Sequence, residues 1–397
     1  MTPLKEAGAN HAPMPAWITW LLATACGLIV ANIYYAQPLA GPISTSLGMS
    51  PQMAGTIVTM TQVGYGLGLL FLVPLGDLFE NRRLVFCALA LDIVALVAAG
   101  VAFSPVMFLV AALFIGFGSV AVQVLVPYAA HLSPEATRGR AVGNVMSGLM
   151  LGIMLARPVA SLVTQLSSWH VIFIASAAIM VLLGVVLWRA LPQRMPSPRP
   201  RYRELLASMG HLALTTPILR RRALYQACLF AAFSIFWTVT PLWLASPAFG
   251  LSQGGIAIFA LLGVAGAIAA PLAGRMADRG WTRAATLIAM LAVGIAFALT
   301  RIDASLVLLV LAAFVIDFGV SANLVLGQRA IFALNPAHRS RLNGLFMATF
   351  FLGGAAGSGL GGWAYAHGGW PLASWLGIGL TGAALLYFAT EPRRRPL

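Results

Sequence analysis

Three charged residues, Arg157, Asp317 and Asp92, lie well inside long apolar stretches of the sequence. A charge within the hydrocarbon of a membrane costs at least about 2.5–3.5 kcal/mol on insertion scales, so such a side chain faces a partner or a polar cavity. A carboxylate removed from water is also harder to ionise, and it can therefore load and release a proton. The three residues are candidates for anion binding, proton coupling or structural ion pairing.

Arg157 needs a partner, and the residues around it indicate its environment. Ser161 and Thr164 continue its face at helical spacing, which favours a wet or protein-lined surrounding. Of the two acids, Asp317 is the better candidate partner because further polar residues extend its face. Two interpretations of Arg157 stay open: work on a substrate anion or coupling ion, and a structural ion pair. Asp92 is either a hydrogen-bonded structural acid or a proton relay.

Aromatic and small polar side chains gather in two further apolar stretches. The run from Asn32 to Ile43 supplies hydrogen-bonding groups beside tyrosines, and the run around Trp237 does the same further along the chain. A pocket for a small molecule requires this mixture. For Tyr35, an aromatic belt at the membrane surface explains the pattern equally well. The candidate pocket residues are Asn32, Tyr35, Gln37, Gln123, Trp237, Thr238 and Asn323.

The composition predicts the elements that position these residues. Of 397 residues, 60% are hydrophobic and 9% are charged, whereas soluble domains use about 25% charged residues. A spanning helix needs about 20 apolar residues, so the sequence predicts an all-α membrane protein with twelve transmembrane helices. Named span 1 to span 12, they are 15–39, 52–76, 84–104, 106–130, 141–166, 170–191, 223–245, 253–276, 282–301, 304–330, 342–366 and 371–390.

The basic residues predict the orientation of these spans. Of 24 basic residues, 22 fall in segments that share one side of the membrane, while Arg301 lies on the other side and Arg157 lies within a span. Such asymmetry is typical of cytoplasmic loops, so both termini are predicted to be cytoplasmic. The net charge of +14 is spread over these loops, which predicts contact with membrane lipid and argues against a nucleic acid partner.

An internal repeat divides the chain into two halves. Shifted by about 201 positions, the sequence overlays itself, and an even number of helices per half predicts a parallel repeat. The landmark pairs are Asp77 with Asp278, Arg82 with Arg283 and Trp169 with Trp370. The predicted units are a six-helix bundle at 14–192, a cytoplasmic linker at 193–222 with a short surface helix near 202–211, and a second bundle at 223–391.

Two loops, one in each half, combine a glycine, a carboxylate and a cationic cluster. They read PLGDLFENRR from Pro74 to Arg83 and GRMADRGWTR from Gly274 to Arg283. The pattern resembles the cytoplasmic loop motif of the major facilitator superfamily, which has the form G-x-x-x-D-R-x-G-R-R. The resemblance covers nearly the whole chain. It implies the major facilitator fold, with two six-helix pseudo-repeat bundles.

In that family the loop is thought to latch the two bundles, so the resemblance implies a gating role for the matching residues. Short polar turns that merely set the orientation are the alternative. The first loop departs from the motif, with Val73 at the leading glycine and Leu78 at the first arginine. The matching residues are Asp77, Arg82 and Arg83 in the first loop, and Gly274, Asp278, Arg279 and Arg283 in the second.

Small residues recur every four positions in spans 5 and 11. Such stripes let helices pack closely in lipid, and they predict that these two spans form the seams between the bundles. The helix-packing glycines are Gly148, Gly152, Gly353 and Gly357. In span 5 the stripe also approximates the antiporter signature of the family, from which Arg157 departs.

The resemblance implies a secondary transporter, not an enzyme, that works by alternating access around a cavity lined by spans 1, 4, 7 and 10. No nucleotide-binding motif or metal-ligand spacing occurs, so no cofactor or metal is predicted and a proton gradient is the expected energy source. The run from Asn32 resembles bacterial efflux-type members, which favours proton-coupled efflux of a small molecule by an inner-membrane monomer, with Asp317 carrying the proton. Proton-coupled import or uniport of a small organic anion is the alternative, for which Arg157 is the reason.

Overall fold

The computed structural model describes residues 15–193, 201–334 and 338–391, and these residues form helices joined by turns, without a strand among them. Nine of the described helices are at least 18 residues long and apolar enough to cross a membrane. The longest of the nine, Arg339–Ala389, contains both span 11 and span 12. Two further spans are not among the nine: the helix of span 1 is shorter than 18 residues, and span 8 is interrupted. The nine helices therefore account for ten spans, and with spans 1 and 8 the predicted all-α membrane fold of twelve spans is confirmed.

The first half contains spans 1 to 6. Their helices are Ala16–Ala31, then Ala54–Phe71, Asn81–Gly100, the broken pair Pro105–Ser119 and Val122–Leu132, Glu135–Leu166 and Trp169–Ala190. The short helix Ala40–Ser46 follows span 1, and two 3-10 turns, Pro51–Met53 and Val73–Asp77, flank span 2.

The second half contains spans 7 to 12. Their helices are Pro217–Ala245, the interrupted pair Gln253–Ala260 and Ala265–Asp278, Thr282–Leu299, Leu306–Phe332, and Arg339–Ala389, which holds spans 11 and 12. The last helix leaves helical geometry at Gly368 and at Gly369, whose φ is +60°. Since side chains disfavour this left-handed backbone, Gly369 allows the sharp turn between the two spans.

Span 1 ends earlier than its predicted limit at residue 39. Its helix stops at Ala31, and the chain continues through tight turns such as the one in which Gln37 N donates to Tyr34 O at 3.3 Å. Pro38 lacks an N–H group and cannot extend a helix here. These turns aim the polar side chains of the run from Asn32 in different directions, which a regular helix would not do.

The glycine stripes pack spans together within each half. Gly148 faces Ala23 of span 1, and an added Cβ on Gly353 would meet backbone atoms of Ala227 in span 7 at 2.5–2.8 Å. Gly152 and Gly357 repeat these contacts one turn further along. These four glycines therefore pack spans 5 and 11 against spans 1 and 7 within each half, and their free face is occupied by those two spans.

The contacts between the halves use other residues of spans 2, 5, 8 and 11. Thr59 of span 2 hydrogen-bonds Ser358 of span 11 at 2.9 Å between hydroxyl oxygens. The amide of Gly254 in span 8 donates to Gln165 Oε1 of span 5 at 3.0 Å. Spans 5 and 11 thus lie at the interface between the halves as predicted, and span 11 meets span 2 through a second row of small residues, Gly354, Ser358 and Gly362.

The linker contains the helix Tyr202–Thr215, which confirms the surface helix predicted near 202–211. Its Tyr202 hydroxyl donates to Phe71 O at the end of span 2, at 2.9 Å. On the other side, Arg341 at the start of span 11 donates to Ser208 Oγ at 3.1 Å. The linker helix therefore contacts both halves at the face that carries the arginine-rich loops, called here the arginine-rich face.

Candidate functional site

Arg157 lies between the two halves and is 2% exposed. Span 5 brings it to the turn after span 1, where its Nε donates to Gln37 Oε1 at 2.7 Å. The guanidinium carbon lies 4.4 Å from the ring centroid of Trp237 and 5.2 Å from those of Tyr34 and Phe233. The charge is therefore held by one amide and three aromatic rings, two of which belong to span 7 of the other half.

Asp317 lies on the far side of Trp237 and is 4% exposed. The indole Nε1 of Trp237 donates to Asp317 Oδ1 at 2.7 Å. Arg157 and Asp317 are not among the ion pairs within 4.0 Å that the described residues form. The two charges therefore do not form a direct ion pair, and Trp237 lies beside each of them; the partnership of Arg157 with Asp317 stays a prediction. Gln37, Arg157, Trp237 and Asp317 are called here the central cluster.

Several polar atoms around the central cluster are buried without a hydrogen-bond partner among the described atoms. They include Nη2 of Arg157 and Nε2 of Gln37, whose side chains already bond to each other. The hydroxyls of Ser161 and Thr164, on the predicted face of Arg157, are likewise unpartnered. Buried polar groups normally find partners, so these donors indicate a place for water or a ligand.

A second polar contact joins spans 7 and 10 nearer the arginine-rich face. Asn323 Nδ2 donates to Gln226 Oε1 at 2.7 Å, and Gln226 Nε2 donates to Val320 O at 3.2 Å. Asn323 is one of the residues predicted from the sequence, whereas Gln226 is not. The signal was present, since Gln226 precedes Phe233 and Trp237 by seven and eleven positions, which is helical spacing on one face.

Two other predicted pocket residues have separate surroundings. Gln123 Nε2 donates to the hydroxyl of Tyr65 in span 2 at 2.9 Å. Thr238 is buried, and its hydroxyl has no partner among the described atoms. Of the seven predicted pocket residues, only Gln37 and Trp237 belong to the central cluster.

Asn32 lies in a different network, which is centred on Asp92. Its Nδ2 donates to Asp92 Oδ2 at 2.7 Å, and its Oδ1 accepts from Ser176 Oγ at 2.6 Å. Ser119 Oγ also donates to Asp92 Oδ1, at 3.4 Å. These four residues, called here the first-half quartet, join spans 1, 3, 4 and 6. Both amide atoms of Asn32 are engaged in this network, and its place in the substrate cavity stays a prediction.

Asp92 and Tyr35 are both buried inside the first half. Asp92 is 0% exposed, and Tyr35 is also buried, with 7% of its surface exposed. Burial contradicts the alternative that Tyr35 belongs to an aromatic belt at the membrane surface. Of the two interpretations of Asp92, the observed bonds fit the structural acid, since each carboxylate oxygen accepts from a neighbouring span.

The predicted gating residues of the first loop contact their own half. Arg82 Nη2 donates to Trp188 O at 2.5 Å, and its guanidinium carbon lies 4.5 Å from the centroid of that indole. Arg83 pairs with Glu80 at 3.2 Å. Asp77 ends the 3-10 turn after span 2.

The second loop is tied to spans 10 and 12. Arg329 forms an ion pair with Asp278 and donates to Gly274 O at 3.0 Å. Arg283 Nη1 donates to Glu391 O at 3.0 Å. The guanidinium of Arg279 lies 5.8 Å from the ring of Trp281. These contacts stay within one half, and the latch between the halves remains a prediction.

A cavity of about 580 Å³ lies away from the central cluster, where spans 7, 9 and 11 end on the face opposite the arginine-rich loops. Its lining includes Trp243, Arg301, Asp303 and Trp370. The buried charges of the central cluster do not line it. In this conformation the central cluster is therefore closed off by protein.

Twelve spans in two similar halves, with buried charges where the halves meet, define a polytopic membrane transporter. The chain belongs to the Major Facilitator Superfamily, whose sequence profile matches residues 19–302 and 255–397. It is 40% identical over 377 residues to the uncharacterized transporter YgaY of Escherichia coli O157:H7, covering 95% of this chain and 94% of that protein. It is 31% identical over 379 residues to the probable transporter SCO4007 of Streptomyces coelicolor, covering 92% and 86%.

A solved structure supports the same fold. A POT family transporter in complex with a thioalcohol-conjugated peptide superposes with a TM-score of 0.76, at 14% identity and with 96% and 97% of the two chains covered. At this identity the likeness shows the fold alone. The family and the named relatives make the chain a secondary transporter of the alternating-access type, which moves a small molecule and is not an enzyme.

Proposed function

We propose that the protein is a proton-coupled exporter of a small molecule and that Asp317 carries the proton. The observation behind this proposal is the place of Asp317, buried on span 10 and bonded to an indole that packs on Arg157 of the other half. A carboxylate removed from water holds a proton more readily than one in water, and a change in its surroundings can release that proton. Its charge state also changes the electrostatic attraction to Arg157.

This placement suits exchange by alternating access. Arg157 and Gln37 move with the first half, whereas Trp237 and Asp317 move with the second. When one half rocks against the other, the distance between the two charges changes, and so does the free energy of protonating Asp317. The substrate would bind the central cluster in one conformation and the proton would bind it in the other. One substrate molecule would then leave as a proton enters.

The direction and the setting are parts of the same proposal. Export is supported by the resemblance of the run from Asn32 to Ile43, and by the partial antiporter signature of span 5. The arginine-rich face, and with it both termini, lies in the cytoplasm by the positive-inside rule. The Escherichia coli relative supports a bacterial inner membrane. A monomeric state is part of the same proposal.

The test is proton flux in proteoliposomes challenged with carboxylic acids, amino acids, sugars and lipophilic amines. Asp317→Asn keeps the shape of the carboxyl and removes its titration, so we expect substrate exchange to persist while proton-coupled flux is lost. Asp303→Asn, at an acid near the opposite face, is the matched control and keeps both activities. Unchanged proton coupling in Asp317→Asn would remove Asp317 from this role and direct attention to Asp92.

A second candidate is proton-coupled import or uniport of a small organic anion. It is favoured by one observation, the two unpartnered donors on Arg157 and Gln37, because neighbouring N–H groups match the oxygens of a carboxylate. Proton-coupled import and proton-coupled export predict opposite proton movements. External substrate alkalinises the medium if an anion enters with a proton, and it acidifies the medium if a proton leaves in exchange.

A further inference from the structure

Trp237 makes two contacts with different parts of one indole. Its N–H group donates to Asp317 Oδ1 at 2.7 Å, and its ring face lies 4.4 Å from the guanidinium carbon of Arg157. The first contact joins spans 7 and 10 within the second half. The second contact joins the second half to span 5 of the first. One rigid, planar side chain therefore connects the buried acid to the buried base.

The two contacts depend on each other through the charge of Asp317. An ionised carboxylate accepts a stronger hydrogen bond than a neutral carboxyl does, and it polarises the indole so that the ring face becomes more negative. A more negative face attracts a guanidinium more strongly. Protonation of Asp317 weakens both contacts, so the attraction between Trp237 and Arg157 falls when a proton binds.

The other contacts of Arg157 show which of its contacts breaks when the two halves move apart. Its hydrogen-bonded partner Gln37 and the ring of Tyr34 both belong to the turn after span 1, in the first half. The rings of Trp237 and Phe233 belong to span 7. When the halves separate, Arg157 stays with Gln37, and the contact with Trp237 is the one that breaks.

We propose that Trp237 is a positioning residue that transmits the protonation state of Asp317 to Arg157 across the interface between the halves. This inference rests on the proposed proton coupling and assigns a role to a residue outside the titrating pair. It predicts that loss of the indole N–H changes the pH at which the transporter changes conformation, not only its stability.

The test follows conformation with protons as the only ligand. In a background without Cys26, Cys87 and Cys228, spin labels at Ser46→Cys and Ala248→Cys report the distance between the halves at the face opposite the arginine-rich loops. Both positions are exposed. We expect the wild-type distance distribution to change with pH and Asp317→Asn to abolish that change.

Trp237→Phe retains an aromatic face and removes the N–H donor. Since that donor stabilises the ionised carboxylate, its loss favours the protonated form, and the midpoint of the distance change moves to higher pH by about one unit. Trp370→Phe is the matched control, because Trp370 is also buried in the second half and donates its indole N–H, to Thr300 at 3.1 Å. Its midpoint stays at the wild-type value.

The possible results distinguish two claims, that Asp317 couples transport to protons and that Trp237 transmits its protonation state. No pH response in the wild type, or a response that survives in Asp317→Asn, contradicts the proposed proton coupling itself. A response that Asp317→Asn abolishes but whose midpoint is unmoved in Trp237→Phe overturns only the role of Trp237. If the Phe variant does not fold, Trp237→Met also lacks a donor and is read by the same criterion.

Discussion

The two halves share a backbone arrangement but use their buried polar groups differently. Gly118 packs on Asp92 between spans 4 and 3, and its repeat equivalent Gly319 packs on Val293 between spans 10 and 9, each within 2.8 Å of an added Cβ. The equivalents of the first-half quartet Asn32, Asp92, Ser119 and Ser176 are Ile235, Val293, Val320 and Gly377, all apolar. The second half thus packs at these positions without any hydrogen bond between side chains.

The second half places its acid elsewhere. Asp317 corresponds to Gly116 of the first half, and its partner Trp237 corresponds to Tyr34. Asp92 is surrounded by its own half, whereas Asp317 lies where the halves meet. An intramembrane acid is therefore not by itself a coupling site. The elements that surround it decide whether it holds spans together or responds to their movement.

Asp92→Val should have the largest effect on stability. The change installs the residue of the other half, but it leaves the Asn32 amide and the Ser119 hydroxyl buried without an acceptor. Each orphaned group costs about 1–3 kcal/mol, so we expect a loss of about 3 kcal/mol in the free energy of unfolding. Equilibrium unfolding in mixed micelles measures this free energy for the variant and the wild type. Asp317→Asn is the comparison and should lose less than about 1 kcal/mol, since the amide still accepts from Trp237.

Replacing the whole quartet should recover most of that loss. The variant Asn32→Ile, Asp92→Val, Ser119→Val and Ser176→Gly removes donors and acceptors together, which is nearly neutral when shapes are kept. We expect its stability to lie within about 1–2 kcal/mol of the wild type and its proton coupling to persist. Lost coupling in a stable quadruple variant would mean that Asp92 relays protons, contrary to the division between the halves.

Asn323→Leu should destabilise the protein less than Asp92→Val does. It removes the bond to Gln226, but Gln226 keeps its bond to the carbonyl of Val320. One buried acceptor is left unpaired, so we expect a loss of about 1–2 kcal/mol, measured in the same unfolding assay. Gln226→Leu is the matched variant. A loss as large as that of Asp92→Val would show that the second half also depends on a polar network.

The sequence predicts the fold well because its signals are local. Apolar length marks the spans, arginine counts indicate the orientation, and a shift of about 201 positions reveals the repeat. The burial of Arg157 also follows locally, because a single charge in an apolar stretch must be covered. The exceptions are equally local in cause: span 1 ends at Ala31, and span 8 is broken by a 3-10 turn at Leu261–Val264.

The composition of the site is less predictable because it depends on how distant spans face each other. Asn32 and Gln37 are five positions apart, yet one bonds to Asp92 and the other to Arg157. No periodicity in one sequence specifies that separation, since turns replace the helix there. In the same way, the sequence identifies Arg157 and Asp317 as charges but does not show that Trp237 contacts both of them.

The linker helix has a consequence for making the protein in two pieces. It continues into span 7 after Thr216, so a chain cut before Arg201 leaves the helix attached to the second half. That fragment then carries Tyr202, whose hydroxyl binds the carbonyl of Phe71 in the first half. We expect two co-expressed fragments divided at this point to find each other, and fragments divided after Thr215 to associate less well. The connection between the halves thus also acts as a docking segment.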